Sequence, residues 1–309
     1  MNKERGYAPI VLFVYNRLEH TKKTVEALKK NEFAKESMLF IYSDAEKDNS
    51  EKISVDEVRN YVRSIEGFKT LTIIERDKNF GLAATIIDGV TEIVTRYGNV
   101  IVIEDDIVTS PHFLKFMNEA LEFYKDQKKV FHISGWNYPI DSSRLDDVFL
   151  WRFMCCWGWA TWSDRWQYYE KNVNKTIKEF SKKEIKYLNI DNYEPAWSQV
   201  IANKENKMET WAVFWYTTII KQKGLCLNPS HSLVINIGND GSGEHNSGND
   251  FLATLSEANE FTYTSEIKEN LAAVNEIKRF YKSIKKPIMA RIINKVKRIV
   301  VNKIKMSNS

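Results

Sequence analysis

The chain has 309 residues, 43% hydrophobic and 13% aromatic, enough apolar side chain for a large core and too much for a disordered polymer. Its 45 Lys/Arg nearly balance 41 Asp/Glu, but residues 278–309 hold eleven Lys/Arg and no Asp/Glu, so the body is mildly acidic and a uniformly basic nucleic-acid binder is excluded. No stretch approaches the roughly 20 apolar residues of a membrane span, the first residues lack a signal-peptide pattern, and Cys155, Cys156 and Cys226 fit neither a disulfide framework nor a zinc site, so a reduced, cytoplasmic protein is expected.

The first half alternates strand and helix signals. Residues 10–14 (Ile-Val-Leu-Phe-Val) form a continuous apolar run, as in a strand buried on both faces. A helix is expected over 21–30, a second buried strand over 38–42 ending at Ser43-Asp44, a polar helix over 54–65 and a third strand over 71–74. Asn79-Phe80-Gly81-Leu82 turns into a helix over 83–97. The strand over 100–103 runs directly into Glu104-Asp105-Asp106, a helix follows over 111–124 with Pro111 near its start, and a fifth strand covers 130–133. This βα alternation predicts an α/β fold, a mainly parallel sheet with helices on both faces. Ligands of such sheets bind beyond the C-terminal strand ends. Tyr15-Asn16-Arg17, Ser43-Asp44 and Glu104-Asp105-Asp106 all fall at such ends and are expected to meet in space.

After residue 135 the composition changes. All nine tryptophans lie between Trp136 and Trp215, interrupted by a charged helical stretch over 171–188. Residues 236–248 are glycine-rich and carry His245. After Pro287, apolar residues recur at helical spacing with Lys and Arg on the other face. That pattern predicts a C-terminal basic amphipathic helix for an anionic membrane surface, or a helix packed on its own domain or on a dimer partner.

An acidic triplet arises by chance in a chain this acidic, so its position is what matters. Three carboxylates after buried β-branched residues repel one another, and a hard divalent cation, Mn²⁺ or Mg²⁺, relieves that repulsion while bridging to phosphate oxygens. The competing reading is an N-terminal acidic cluster for the helix after Pro111. Asp44 can accept from a uracil N–H or simply cap a turn, and Arg17 can fork onto phosphate or lie solvated at a helix start. Trp136 and Trp157 are expected among the few rings that touch a sugar, most of the other tryptophans being core. A dinucleotide fingerprint, a Walker-type Gly-Lys-Ser/Thr and a G-x-S-x-G elbow are all missing from the sequence.

With these segments in order, the sequence resembles GT-A (Rossmann-like) glycosyltransferases, especially bacterial surface-polysaccharide enzymes similar to the Golgi β-1,2-N-acetylglucosaminyltransferases. The matching pieces are residues 9–17, the Asp44 strand end, Asn79-Phe80-Gly81-Leu82-Ala83, Val102-Ile103-Glu104-Asp105-Asp106, His132-Ile133-Ser134-Gly135-Trp136-Asn137, Trp157-Gly158-Trp159, and Thr210-Trp211 through His245, covering about 8–250. The resemblance implies a nucleotide-sugar-binding half over 1–135, an acceptor-binding, Trp-rich half of the same domain over 136–260, and a helical basic tail over 261–309.

It further implies a metal on Asp106, with His245 as a further ligand, and ribose and ordered-water contacts from Glu104 and Asp105. Uracil recognition falls to Asp44. Asn16, Arg17 and Gly81 lie at the nucleotide site, and Trp211 joins Trp136 and Trp157 at the sugar. The implied reaction is an inverting transfer from a UDP-linked sugar to a lipid-linked glycan at the inner face of the membrane. The relatives carry their catalytic base inside a Trp-flanked segment. Here that segment is Trp211-Ala212-Val213-Phe214-Trp215, with no carboxylate, so Glu209, Asp240 and Glu244 are the candidate bases. A sugar-phosphate nucleotidyltransferase and a non-catalytic carbohydrate-binding protein are the alternatives.

Overall fold

The computed structural model describes residues 6–238, 240 and 254–284. Its strands are β1 (Ile10–Val14), β2 (Met38–Ser43), β3 (Thr70–Glu75), β4 (Asn99–Glu104), β5 (Ile107–Thr109), β6 (Val130–Ser134), β7 (Val148–Trp151), β8 (Trp159–Trp162), β9 (Leu225–Pro229) and β10 (Val234–Asn236). The helices are α1 (Leu18–Lys29), α2 (Lys52–Val62), α3 (Leu82–Tyr97), α4 (Phe113–Tyr124), α5 (Ser163–Trp166), α6 (Val173–Glu179), α7 (Lys182–Leu188), α8 (Trp197–Lys204), α9 (Ala212–Lys221) and α10 (Leu271–Ile284).

Eight strands form one sheet in the order β3-β2-β1-β4-β8-β6-β9-β7, and β5 pairs with β10 in a separate ribbon. β1 pairs in parallel with β2 and with β4, and β2 with β3, so these four end on one edge. Every side chain of β1 is buried, as its unbroken apolar run requires of a strand covered on both faces. Successive residues then choose opposite layers. Ile10, Leu12, Leu39, Ile41, Ile101 and Ile103 pack with residues of α1, α2, α4 and α10. Val11, Phe13, Phe40, Tyr42, Val100 and Val102 pack with α3 and α9. The α/β fold expected from the sequence, a mainly parallel sheet with helices on both faces, is the one the chain adopts.

The tryptophan-rich stretch adds a strand that the sequence did not mark. The expected strand over 130–133 exists as β6. β8 runs antiparallel between β4 and β6, its Ala160 opposite both Ile101 and Ile133. Four buried residues, Trp-Ala-Thr-Trp, make this strand, too short for a periodicity to show. Trp151, Trp159 and Trp215 are fully buried and serve as core. The charged stretch over 171–188 is two helices. Asn172 caps α6, and Ser181 opens α7 with a capping box closed by Glu184. α10 buries Ala273, Val274, Ile277 and Tyr281 on one stripe. The expected basic helix beyond Pro287 lies outside the described residues. Among those described, no helix is long and apolar enough to cross a membrane.

Candidate active site

The ends of β1, β2 and β4 open onto one cavity of about 520 Å³. Asn16, Arg17, Asp44, Gly81, Glu104, Asp105 and Asp106 all line it, so the polar clusters read from separate strand ends do come together.

The acidic triplet turns out of β4 against Arg17, the residue preceding α1. The Arg17 guanidinium donates from Nη2 to Asp105 Oδ1 and, at 2.7 Å, to Asp106 Oδ2, and from Nε to Asp105 Oδ2 at 3.3 Å. Thr24 Oγ1 on α1 fixes the Asp105 carbonyl at 2.8 Å. The sequence reading gave the relief of carboxylate repulsion to a cation alone, but this arginine supplies part of it. Burial, with Asp106 and Asp105 alongside, still pushes the Glu104 carboxyl well above its usual range. Burial likewise lifts Asp105 in spite of Arg17. One guanidinium thus faces three carboxyl groups, two of which burial drives toward their neutral forms. Arg17 Nη1 is buried with no hydrogen-bond partner among the described residues, a donor suited to an anionic oxygen.

Gly238, just beyond β10, closes over this corner. Ile237 N–H donates to the Asp106 carbonyl at 2.9 Å. A Cβ on Gly238 would overlap Asp106 Oδ2 and come 3.0 Å from Arg17 Nη1. His245 and Glu244, expected just downstream, lie outside the described residues.

Asp44 is buried and spends its oxygens on the start of α3. Oδ1 accepts from Phe80 N–H at 2.9 Å and Ala45 N–H at 3.0 Å, and Oδ2 accepts from Gly81 N–H at 2.8 Å. Gly81 sits at φ +77°, ψ 157°, a region essentially reserved for glycine. Asp44 thus does what the simpler reading held, bracing a turn, while lining the cavity. Asn79 Nδ2 donates to the Ala45 carbonyl at 2.6 Å, and Asn16 Nδ2 to Glu51 Oε1 at 3.2 Å. Tyr15 also donates to Glu51; burial and that carboxylate raise its pKa.

Aromatic rings also line the cavity. Trp157 is half-buried, while Trp136 and Trp211 are only 3% exposed; Trp136 lies edge-on to Trp157 at 5.1 Å between centroids and Trp211 stacks on Trp159 at 5.2 Å. Of the carboxylates expected as bases, Glu209 lines the cavity with its side chain 77% exposed and ion-paired to Lys171 at 2.9 Å. Asp240 Oδ2 lies 3.1 Å from His20 Nε2 on α1.

The cavity also carries residues that the sequence did not mark. Tyr281, on α10, donates to Glu194 Oε2 at 2.8 Å, and its hydroxyl lies 2.8 Å from that of Tyr138. All three line the cavity. They come from segments more than fifty residues apart with no shared motif, and only the docking of α10 reveals their meeting.

No protein-family model matches the chain, and no curated protein matches it. Among solved structures, it resembles S. aureus TarS at 17% identity and TM-score 0.29, over 41% of this chain; the matched part spans 21% of that chain. It also resembles the mannosyltransferase PcManGT from Pyrobaculum calidifontis, solved with GDP-Man and Mn²⁺, at 11% identity and TM-score 0.43, over 70% of this chain and 69% of the other. Likenesses at these scores leave the functional reading to the geometry of the cavity.

Proposed function

We propose that the protein is a metal-dependent glycosyltransferase, moving a sugar from a UDP-linked donor to a glycan acceptor with inversion. The observation that carries this reading is the mixed lining of the cavity. Carboxylates and an arginine at the strand ends share one space with indole and phenol rings. The charged groups suit a diphosphate, and the rings suit the apolar faces and hydroxyls of sugars.

The donor set fits a hard cation. It offers carboxylate oxygens from Asp105 and Asp106 beside one guanidinium, and such an ion takes one or two carboxylates and completes its shell with phosphate and water. Among the described residues no group of three His, Cys, Asp or Glu side chains is placed to hold a metal, so most of the ion's shell would come from phosphate and water. Asp106 would hold Mn²⁺ or Mg²⁺, whose chemistry there is to neutralise the departing diphosphate. Arg17 donates Nη1 to a diphosphate oxygen, adding fixed positive charge where negative charge develops. Glu104 and Asp105 contact the ribose and its waters. Asp44 and the Gly81 turn shape the base end of the site, and Trp136, Trp157 and Trp211 stack on sugar. A carboxylate of the wall takes the proton of the acceptor hydroxyl as it attacks the anomeric carbon.

The basic residues over 278–309 support a lipid-linked acceptor at the inner face of the membrane, as in surface-polysaccharide assembly. A chain ending at residue 286 should then leave the membrane fraction.

The deciding experiment incubates the protein with a panel of nucleotide sugars and Mn²⁺, with and without EDTA, and follows the nucleotide product. Release of UDP that stops with EDTA and with Asp106→Ala is expected. Release of pyrophosphate would make it a nucleotidyltransferase, and binding without turnover a carbohydrate-binding protein.

A further inference from the structure

We infer that Glu194, held in the cavity by Tyr281, which Tyr138 supports in turn, is the carboxylate that receives the acceptor hydroxyl's proton. This rests on the transferase reading above.

Glu194 lines the cavity with Oε2 held by the Tyr281 hydroxyl; Tyr281 meets Tyr138, which packs against Trp136 at 4.6 Å between centroids. Asp44 serves backbone N–H groups. Asp105 and Asp106 are paired with Arg17. Glu209 is largely exposed beside Lys171.

The backbone before it is unusual. Ile190, Asp191 and Asn192 have φ of 46°, 53° and 71°, three successive non-glycine residues in the left-handed region. Such residues are strained and persist only where their surroundings over-determine them. α10 supplies much of that determination. Asp191 pairs with Lys278 at 2.6 Å and with Arg152 at 3.3 Å, while Tyr281, one helical turn beyond Lys278, holds Glu194. The strained turn is thus clamped at two points to one helix, and the result is a carboxylate aimed into the cavity. Tyr281 and Tyr138 are positioning residues. Burial and Glu194 raise the Tyr281 pKa, so its hydroxyl keeps its proton and donates it to the carboxylate as a hydrogen bond.

The step balances. The acceptor oxygen bonds to the anomeric carbon and gives its proton to Glu194. The anomeric bond to the diphosphate breaks, and its electron pair leaves with the nucleoside diphosphate.

The test compares the full-length protein with Glu194→Gln, Glu194→Asp and Tyr281→Phe, using UDP-, GDP-, dTDP- and CDP-linked sugars with Mn²⁺. Donor binding is read by thermal shift, and release of nucleoside diphosphate is read with water as the acceptor. Glutamine can still accept from Tyr281 but cannot take a proton. We expect Glu194→Gln to keep donor binding and to lose at least about 100-fold in release. Glu194→Asp should retain more than Glu194→Gln, and Tyr281→Phe should lose about tenfold with binding intact. Release by Glu194→Gln within threefold of wild type overturns the proposal. Should that variant fail to fold, unchanged release by Tyr281→Phe overturns it instead. A wild-type protein that binds and cleaves none of these donors sinks the transferase reading itself, a distinct result because it shows without any variant.

Discussion

Two residues beside Asp106 decide how that carboxylate is presented. Arg17 neutralises it from one side, and Gly238 lets the backbone after β10 lie against it. The two make separable predictions. Gly238→Ala forces Asp106 Oδ2 and the Arg17 guanidinium to move, since the new Cβ would fall onto both. Misplacement of a reacting group by about 1 Å can cost about 100-fold in rate. We therefore expect transfer to drop by about that much with little change in melting temperature, because the corner contributes little apolar packing; kinetics and calorimetry on one sample check both. Arg17→Met, in contrast, strands Asp105 and Asp106 in a largely buried place. Removing one partner of a buried pair costs about 3–5 kcal/mol. The arginine is 17% exposed, so a loss at or below the lower figure is expected in urea unfolding without divalent cation. Part of the loss should return when Mn²⁺ is added, because a cation then takes over the surplus charge.

At the scale of elements, the start of α3 shows how a sequence feature can be located correctly and still have its work understated. Asp44 and Gly81 were both visible, one at a strand end and the other in a turn before a helix. What the sequence could not show is that they bond each other across 37 positions, because that pairing exists only after β2 and α3 are set side by side. Asp44→Ala should cost about 1–2 kcal/mol in stability, the range for losing an N-terminal helix cap. Gly81→Ala should cost about 1–3 kcal/mol for a different reason. Nothing lies within 4 Å of the added Cβ, so the whole loss is conformational and should persist in an Asp44→Ala background. A double-mutant cycle in urea measures this. Five of the six strands up to residue 134 were legible from apolar runs, and so were the strand-end clusters; β5, only three residues long, was missed. β8 and the turn carrying Glu194 were not legible either. The first is four residues long and half tryptophan, and the second depends on a helix nearly ninety residues downstream.

At the scale of the molecule, His132 joins the parts of the sheet that were read separately. It lies on β6, stacks on Trp159 of β8 at 5.2 Å, and accepts at Nδ1 from Trp215 Nε1 of α9 at 3.3 Å. Because Nδ1 faces a donor, Nε2 carries the hydrogen and donates to the Cys155 carbonyl at 2.9 Å. Those contacts fix a neutral imidazole. Burial drives its pKa down to about 3, against an ordinary value near 6.5. The folded state therefore binds fewer protons at this residue than the unfolded chain between those two values. Stability contributed by His132 is complete above about pH 6.5 and falls by about 1.4 kcal/mol per unit as the pH drops below it. Glu104 and Asp105, raised by burial, titrate in the same range with the opposite sign, so the imidazole is read as a difference. His132→Gln keeps an amide able to donate to Cys155 and has no proton to gain. It should be less stable than the wild type at pH 7 in urea unfolding, and the gap should close by about 2 kcal/mol between pH 6.5 and 5 as the two curves converge. Parallel curves would mean that the buried imidazole is not the group that ties acid sensitivity to the junction of β6, β8 and α9.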